Sequence, residues 1–333
     1  MANLPSAQGM NIEIDDDTDW TDDDSVFGGS PKPLSSAENG RRYQAYRQGE
    51  YVLPNDEGEQ AHMSLDHYIQ QLVLGGTIFC APISPNPRRI LDLGTGTGLW
   101  AIDMAKNRLE SDSACVVLRQ ENLFMVPPNC QLELDDFESQ WCFSKPFDFI
   151  HGRSLAGSIT DHDRFLRQCL DNLAPGGLLE LCDFSVWPYA DDDTIHKAKH
   201  SLEWVKRLDE ASSKFGKRMN VAQHYKGWLS QAGFVNVKED VYKAPVAPWP
   251  KDPKLKELGR HVQTTVLEAP DAYSPGAALP RAGVESGTHR GVAGRVPTGD
   301  FRPDASYLHE IVLCVWSEAG DELNRQTMSD DVI

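Results

Sequence analysis

The stretch Arg89-Ile90-Leu91-Asp92-Leu93-Gly94-Thr95-Gly96-Thr97-Gly98-Leu99-Trp100-Ala101-Ile102 fixes the class of fold open to this chain. A short apolar run with Asp92 near its end reads as a buried parallel strand. Gly94, Gly96 and Gly98 then force a tight turn, and Leu99, Trp100, Ile102 and Met104 begin an amphipathic helix. Glycine belongs in such a turn because it tolerates unusual backbone angles and has no Cβ to hold a ligand away. A turn that exposes backbone N–H groups at a helix N-terminus suits a nucleotide-like molecule.

The remaining elements extend this unit. Glu59 to Gly75 has helical periodicity through Met63, Leu65, Tyr68, Ile69, Leu72 and Val73, and predicts a helix that packs on the core and covers the site. Beyond the glycine turn a helix is expected to about Asn107. Further strands are expected at 114–118, 131–134, 147–151 and 178–182, the last entered through Pro175-Gly176-Gly177. Asp161 to Leu173 is helical, as are Lys197 to Phe215 and Val221 to Ala232. Late strands are expected at 234–237 and 311–316, with a proline-rich connection, Ala244 to Pro253, between them. Strands alternating with helices give a parallel sheet with both faces covered.

Composition removes several functions. A net charge of −18 over 333 residues opposes general nucleic-acid binding, which needs clustered Lys and Arg against phosphates. The seven cysteines form no close Cys-x-x-Cys pair, so neither a zinc site nor a disulfide framework is expected, and no metal is assigned. The N-terminus lacks a secretory pattern and no apolar run reaches membrane-spanning length, which predicts a soluble, cytoplasmic protein, or a nuclear one if its role is regulatory. Residues 1–38 are acidic and polar, carrying Asp15-Asp16-Asp17 and Asp22-Asp23-Asp24, and are expected to be a disordered tail.

Two ligands compete for the glycine turn. Dinucleotide sites carry G-x-G-x-x-G with an acid about twenty positions later. Here the glycines alternate and Asp92 precedes them, which suits a ligand with an amino-acid ammonium group at one end and adenosine at the other. Asp135-Asp136-Phe137, ending the third strand of the sheet, offers a carboxylate for an adenine amine and an apolar surface for its ring.

With these motifs in order, the chain resembles the class I S-adenosylmethionine-dependent methyltransferases. More narrowly, it resembles the fungal LaeA-like (TAM-domain) methyltransferases linked to secondary metabolism. Tyr43-Gln44-Ala45-Tyr46-Arg47, Tyr51-Val52-Leu53-Pro54, the block from Arg89 to Met104, Asp135 to Trp141, Phe147 to His151, Leu155 to Ile159 and Pro175-Gly176-Gly177 carry the likeness, which spans Asn39 to Ser317. It implies an α/β, Rossmann-like methyltransferase sheet with a C-terminal antiparallel strand, and S-adenosylmethionine as cofactor. The domain order expected is a tail (1–38), an N-terminal helical layer or lid (39–88), a methyltransferase domain (89–318) and a polar tail (319–333). Asp92 would support the turn and the methionine amino group, and Gly94, Gly96 and Gly98 would let the backbone approach it. Asp136 and Phe137 would hold adenine, and Tyr51 and Arg47 would close the site. His151, after the fourth strand of the sheet, is the candidate general base, since its ordinary pKa lies near neutrality. A hydrogen-bonded structural histidine is the competing assignment there.

The sequence departs from the family pattern twice. After the second strand of the sheet, Val117-Leu118-Arg119-Gln120-Glu121 leaves Glu121 as the one nearby carboxylate for a ribose. Residues 275–305, rich in Gly, Ala, Pro and Arg, stand where the family has an amphipathic helix. Permitted codons allow this stretch to be read one base later as a helix-forming segment, so it is expected to be translated out of the ancestral frame. The function expected is methyl transfer to a small-molecule acceptor of fungal secondary metabolism. The alternatives are a LaeA-like regulator acting through a protein partner and a catalytically impaired relative. A nicotinamide dehydrogenase fits the glycine spacing worse.

Overall fold

The structure is a computed structural model that describes residues 35–38, 41–44, 56–108, 114–119, 127–134, 136–273 and 307–319. The acidic tail before residue 35, Arg47, Tyr51, Glu121, Asp135 and the 275–305 segment lie outside the described residues.

Strands β1 (Ser35–Glu38) and β2 (Arg41–Gln44) form an antiparallel hairpin, so the end of the expected disordered tail is a strand, held by pairing with β2, and a strand also opens the expected helical layer. Helix α1 (Glu57–Val73) is capped by Asp56, whose Oδ1 accepts from Glu59 N at 3.1 Å. Such a cap contributes about 1 kcal/mol. There follow β3 (Arg89–Leu93), α2 (Leu99–Arg108), β4 (Ala114–Arg119), β5 (Cys130–Leu134) and β6 (Phe147–Arg153). Helix α3 (His162–Asp171) is capped by Asp161 and leads into β7 (Leu173–Asp183). The chain continues with β8 (Pro188–Ala190), α4 (Lys199–Phe215), α5 (Tyr225–Gln231), β9 (Phe234–Pro245), α6 (Pro253–Tyr273) and β10 (Tyr307–Ala319).

The main sheet places β5, β4, β3, β6 and β7 side by side and parallel, and then β10 antiparallel to β7. β8 pairs with Tyr307–His309 of β10 and β7 with Leu313–Glu318, so the two follow each other along one edge of β10. β9 pairs along almost the whole of β10, on its other edge. The α/β sheet and its antiparallel last strand match the sequence expectation. From β3 the chain first builds outward through β4 and β5, then returns to lay β6 on the other side of β3. The strand order therefore reverses between β3 and β6, where open α/β sheets bind ligands at the carboxyl ends of their strands.

Alternation along the strands sorts the core. Leu91, Leu93, Ile150, Leu179 and Leu181 face a cluster containing Phe165, Leu166 and Leu170 of α3 and Tyr225 and Leu229 of α5. Ile90, Phe149 and Leu178 face the other way, onto Trp100, Ala101 and Met104 of α2. Cys182, of the same parity as Leu178, meets Ile69 of α1 with Leu258 and Val262 of α6. Each of these large side chains is almost fully buried, which stabilises by roughly 1.5–3 kcal/mol apiece.

Three differences from the sequence expectation have physical reasons. Pro175-Gly176-Gly177 lies inside β7, where the register with β6 jumps from Phe147–Leu173 to Phe149–Leu178, so the expected turn is accommodated as an irregularity of the strand. β9 runs on to Pro245 because β10 supplies partners that far. Helix α6 was not expected, since a proline-rich run precedes it and Gly259 reads as a breaker. Gly259 is a packing residue: a Cβ there would lie within 3 Å of Ala247 O.

Candidate functional site

At the β3/β6 reversal, Gly94 and Gly96 adopt left-handed backbone angles, with φ of 64° and 56°. An L-residue would pay roughly 1–2 kcal/mol in each such conformation. Space reinforces the requirement: a Cβ on Gly94 would lie 2.7 Å from Leu155 Cδ2, and one on Gly96 would lie 2.9 Å from Met63 Sδ. Met63 belongs to α1, so that helix sits directly over the turn.

Beneath the turn the sheet sets a row of ionisable groups. Asp92 on β3 lies in register with His151 on β6, and His151 with Glu180 on β7. His151 Nδ1 donates to Asp92 Oδ1 at 2.8 Å, with the two side chains 1% and 3% exposed. The imidazole stacks on Trp100 with centroids 3.7 Å apart and planes within 2°. Trp100 is itself fixed by Nε1 donating to Ile78 O at 2.6 Å. Glu180 Oε2 accepts from the backbone N–H groups of Cys80 and Ala81, clamping that segment beside α2. Asp92 thus keeps one oxygen on His151, while Oδ2 is buried without a hydrogen-bond partner.

Asp92 lines a cavity of about 130 Å³ among the described residues. Its floor is the glycine turn with Trp100 and His151, and its roof is Glu59, His62, Met63 and Asp66 of α1. Arg153, Ser154, Leu155 and Ser158, following β6, form one side, and Phe137 another. Ser154 has φ of 53°, a strained angle for a non-glycine residue of the kind that collects at functional sites. Its neighbours are held by Asp183 at the end of β7, which accepts from Ala156 N at 3.1 Å and from Tyr225 Oη at 2.6 Å. Burial pushes the Asp183 carboxyl up to about 6, against the lowering effect of those donors.

The polar side chains of the roof and side are linked. Arg153 donates to His67 Nδ1 at 3.1 Å, and His67 Nε2 lies 3.1 Å from Asp103 Oδ2 of α2. With Nδ1 accepting, His67 carries its proton on Nε2. Burial, helped by Arg153, lowers its pKa, while Asp103 opposes the shift. Burial also lowers the Arg153 pKa, offset by Asp92 and Asp66. Asp66 is raised by burial, opposed by His62 and Arg153. Among the described residues no group of three or more His, Cys, Asp or Glu is placed to hold a metal.

Of the residues selected from sequence, Asp92, Gly94, Gly96, Phe137 and His151 meet at the cavity. Gly98 closes the turn, its N–H donating to Thr95 O at 2.9 Å. Asp136 is not among the lining residues: its carboxylate accepts from Glu138 N and Ser139 Oγ within its own turn. Sequence reasoning did not select His62, Asp66 or Trp100. Their signal is tertiary, because only the fold brings α1 over the turn and α2 beneath the histidine.

A family model described as a methyltransferase domain matches residues 65–239. The methyltransferase pytC of Aspergillus terreus is 35% identical over 282 residues, which are 82% of this chain and 86% of that protein. The secondary metabolism regulator LAE1 of Cochliobolus heterostrophus is 31% identical over 255 residues, 74% of this chain and 83% of that protein. Among solved structures, a Haemonchus contortus phosphoethanolamine N-methyltransferase in complex with S-adenosyl-L-methionine aligns at 13% identity and a TM-score of 0.44, covering 82% of this chain and 54% of that one.

Proposed function

We infer the function from one premise: this chain belongs to the methyltransferase-domain family. It transfers a methyl group from S-adenosylmethionine to a small-molecule acceptor of secondary metabolism. The observation that carries this reading is Asp92 Oδ2, a buried carboxylate oxygen without a partner, in a residue that lines the cavity together with the glycine turn. An orphaned buried acceptor costs about 1–3 kcal/mol, more when charged, and an ammonium group would satisfy it. The enclosed volume is below the roughly 300 Å³ of the smallest drug-sized pockets, which fits the methionine end of the molecule rather than the whole.

In this reading Asp92 receives the amino group, and the backbone of Gly94 to Gly98 lies against the methionine moiety. Phe137 packs on the adenine, with Asp136 and Glu121 assigned to the adenosine end. Arg47 and Tyr51 are assigned to closing the site. His151 has Nδ1 on Asp92 and one face on Trp100, so we assign it to orienting that carboxylate rather than to proton transfer. Bound S-adenosylmethionine supplies an activated methyl on a sulfonium leaving group, and the protein supplies alignment and a dry cavity.

Calorimetric titration with S-adenosylmethionine tests the reading. Wild type binds, and Gly96→Arg, which drives a side chain into Met63, removes measurable binding while the protein stays folded. Absence of binding to folded wild type overturns the reading. A second reading, regulation of secondary metabolism through a protein partner, is favoured by the likeness to LAE1. Deleting the gene separates the two: an enzyme's loss leaves one product short of a methyl group, and a regulator's loss depletes many products. Direct nucleic-acid contact is disfavoured by the net charge of −18. No helix among the described residues is long and apolar enough to cross a membrane.

A further inference from the structure

The roof of the cavity carries a second carboxylate that the cofactor reading leaves without a task. Asp66 Oδ1 is shut off from solvent and has no hydrogen-bond partner. Its other oxygen, Oδ2, stands 3.8 Å from His62 Nε2, one helical turn away on α1. His62 Nδ1 stands 3.9 Å from Glu268 Oε2 on α6. The Asp66 and His62 side chains are 18% and 11% exposed, and that of Glu268 is 58% exposed. Asp66 and His62 both line the cavity, and Glu268, next to His62, is the exposed member of the three. Each gap is just beyond hydrogen-bond reach and within the span of one water or a small rotation of the His62 ring.

We propose that Asp66 takes the proton of the methyl acceptor, and that His62 and Glu268 pass it to solvent. The proposal rests on the cofactor reading above, and it narrows the acceptor to a nucleophile that carries a proton, an O–H or N–H group. As the acceptor oxygen or nitrogen bonds to the methyl carbon, the carbon–sulfur bond breaks and its electron pair stays on sulfur, which leaves neutral. The acceptor's proton passes to Asp66, neutralising the carboxylate. His62 then receives it on Nε2 and releases a proton from Nδ1 to Glu268. Two features suit Asp66 to this work better than His151. Asp66 lines the cavity with one oxygen unpartnered, and His62 and Glu268 stand next to it in turn. His151 is tied to Asp92 and covered by Trp100. The charged groups facing Asp66 are His62 on its own helix and Arg153 from β6, with His67 and Asp92 next to Arg153.

A pair of cofactor analogues tests this without knowledge of the acceptor. S-adenosylhomocysteine lacks the methyl group, whereas sinefungin carries an amine where that methyl stands; both keep the ammonium group meant for Asp92. If Asp66 faces the transferred group, Asp66→Asn weakens sinefungin by about tenfold or more and leaves S-adenosylhomocysteine within about twofold. In wild type the preference for sinefungin also falls as pH drops through the titration of Asp66, and in Asp66→Asn it stays flat. An unchanged sinefungin preference in a variant that still binds S-adenosylhomocysteine overturns the proposal and spares the cofactor reading. Failure of folded wild type to bind either analogue removes both.

Discussion

The glycine-turn wall and the α1 wall face each other across one cavity, and their contacts differ in length. His151 meets Asp92 at 2.8 Å and stacks on Trp100 at 3.7 Å, whereas His62 stands 3.8 Å from Asp66 and 3.9 Å from Glu268. The first wall holds Asp92 in a fixed position, and a fixed dipole or charge costs no reorganisation when a ligand arrives. The second holds its groups beyond hydrogen-bond distance, so a small motion or one water must close each gap before a proton can cross it. Similar residue types, carboxylate and imidazole, sit at different spacings because one set is locked by the sheet and the other hangs from a helix.

Three substitutions break or sharpen this contrast. The largest effect is expected at Trp100, whose buried indole holds the imidazole in place. Trp100→Ala should cost about 3–5 kcal/mol in denaturant unfolding. A loss below about 1 kcal/mol would mean that the floor is not rigid.

Asp183, which fixes the loop between the two walls, comes next. Its folded pKa of about 6 lies above the ordinary 3.8, so the folded state holds the proton more tightly. Stability from this group is fully present below its unfolded pKa and is lost as pH rises through the folded value, by up to about 3 kcal/mol. Asp183→Asn carries no charge, so its stability relative to wild type should climb by that amount between roughly pH 4 and pH 7. Parallel pH dependences of the two unfolding free energies would exclude the shift.

The smallest effect is expected on the α1 side. The long contacts of His62 contribute little, so His62→Gln should change unfolding free energy by less than about 1 kcal/mol. A change as large as that of Trp100→Ala would erase the contrast between the walls.

The same contrast decides what could be read from the sequence. The glycine turn, Asp92 and the strand positions are legible because their signals are local: short apolar runs, glycines at fixed spacing, acids at strand ends. Phe137 was legible as an apolar surface after a strand. The pairing of Asp92 with His151 was not, because it depends on β6 returning to the side of β3 and on the register that sets the two residues opposite each other. His62 and Asp66 look like a solvated i, i+4 pair on a helix face. Only the packing of α1 over the turn and of α6 beside α1 gives that pair a cavity on one side and Glu268 on the other. Helix α6 carried its signal at Leu258, Val262 and Val266, but prolines before it and Gly259 within it masked the period.

β10 governs the order in which this protein can be assembled. The parallel half of the sheet, β3 to β7, uses only residues up to Asp183, but β7, β8 and β9 all find their last partner in Tyr307–Ala319. During synthesis the site's strands can therefore pair while the edges of β7 and β9 wait for a segment that leaves the ribosome late. Long-range pairing of this kind is slow, and an exposed strand edge invites a neighbouring chain. Any chain that stops short of residue 307 keeps the glycine turn and the carboxylates of its cavity, yet leaves β7, β8 and β9 without that partner. The strand that covers these edges lies more than 200 residues after the glycine turn, about the distance from Gly98 to Tyr307.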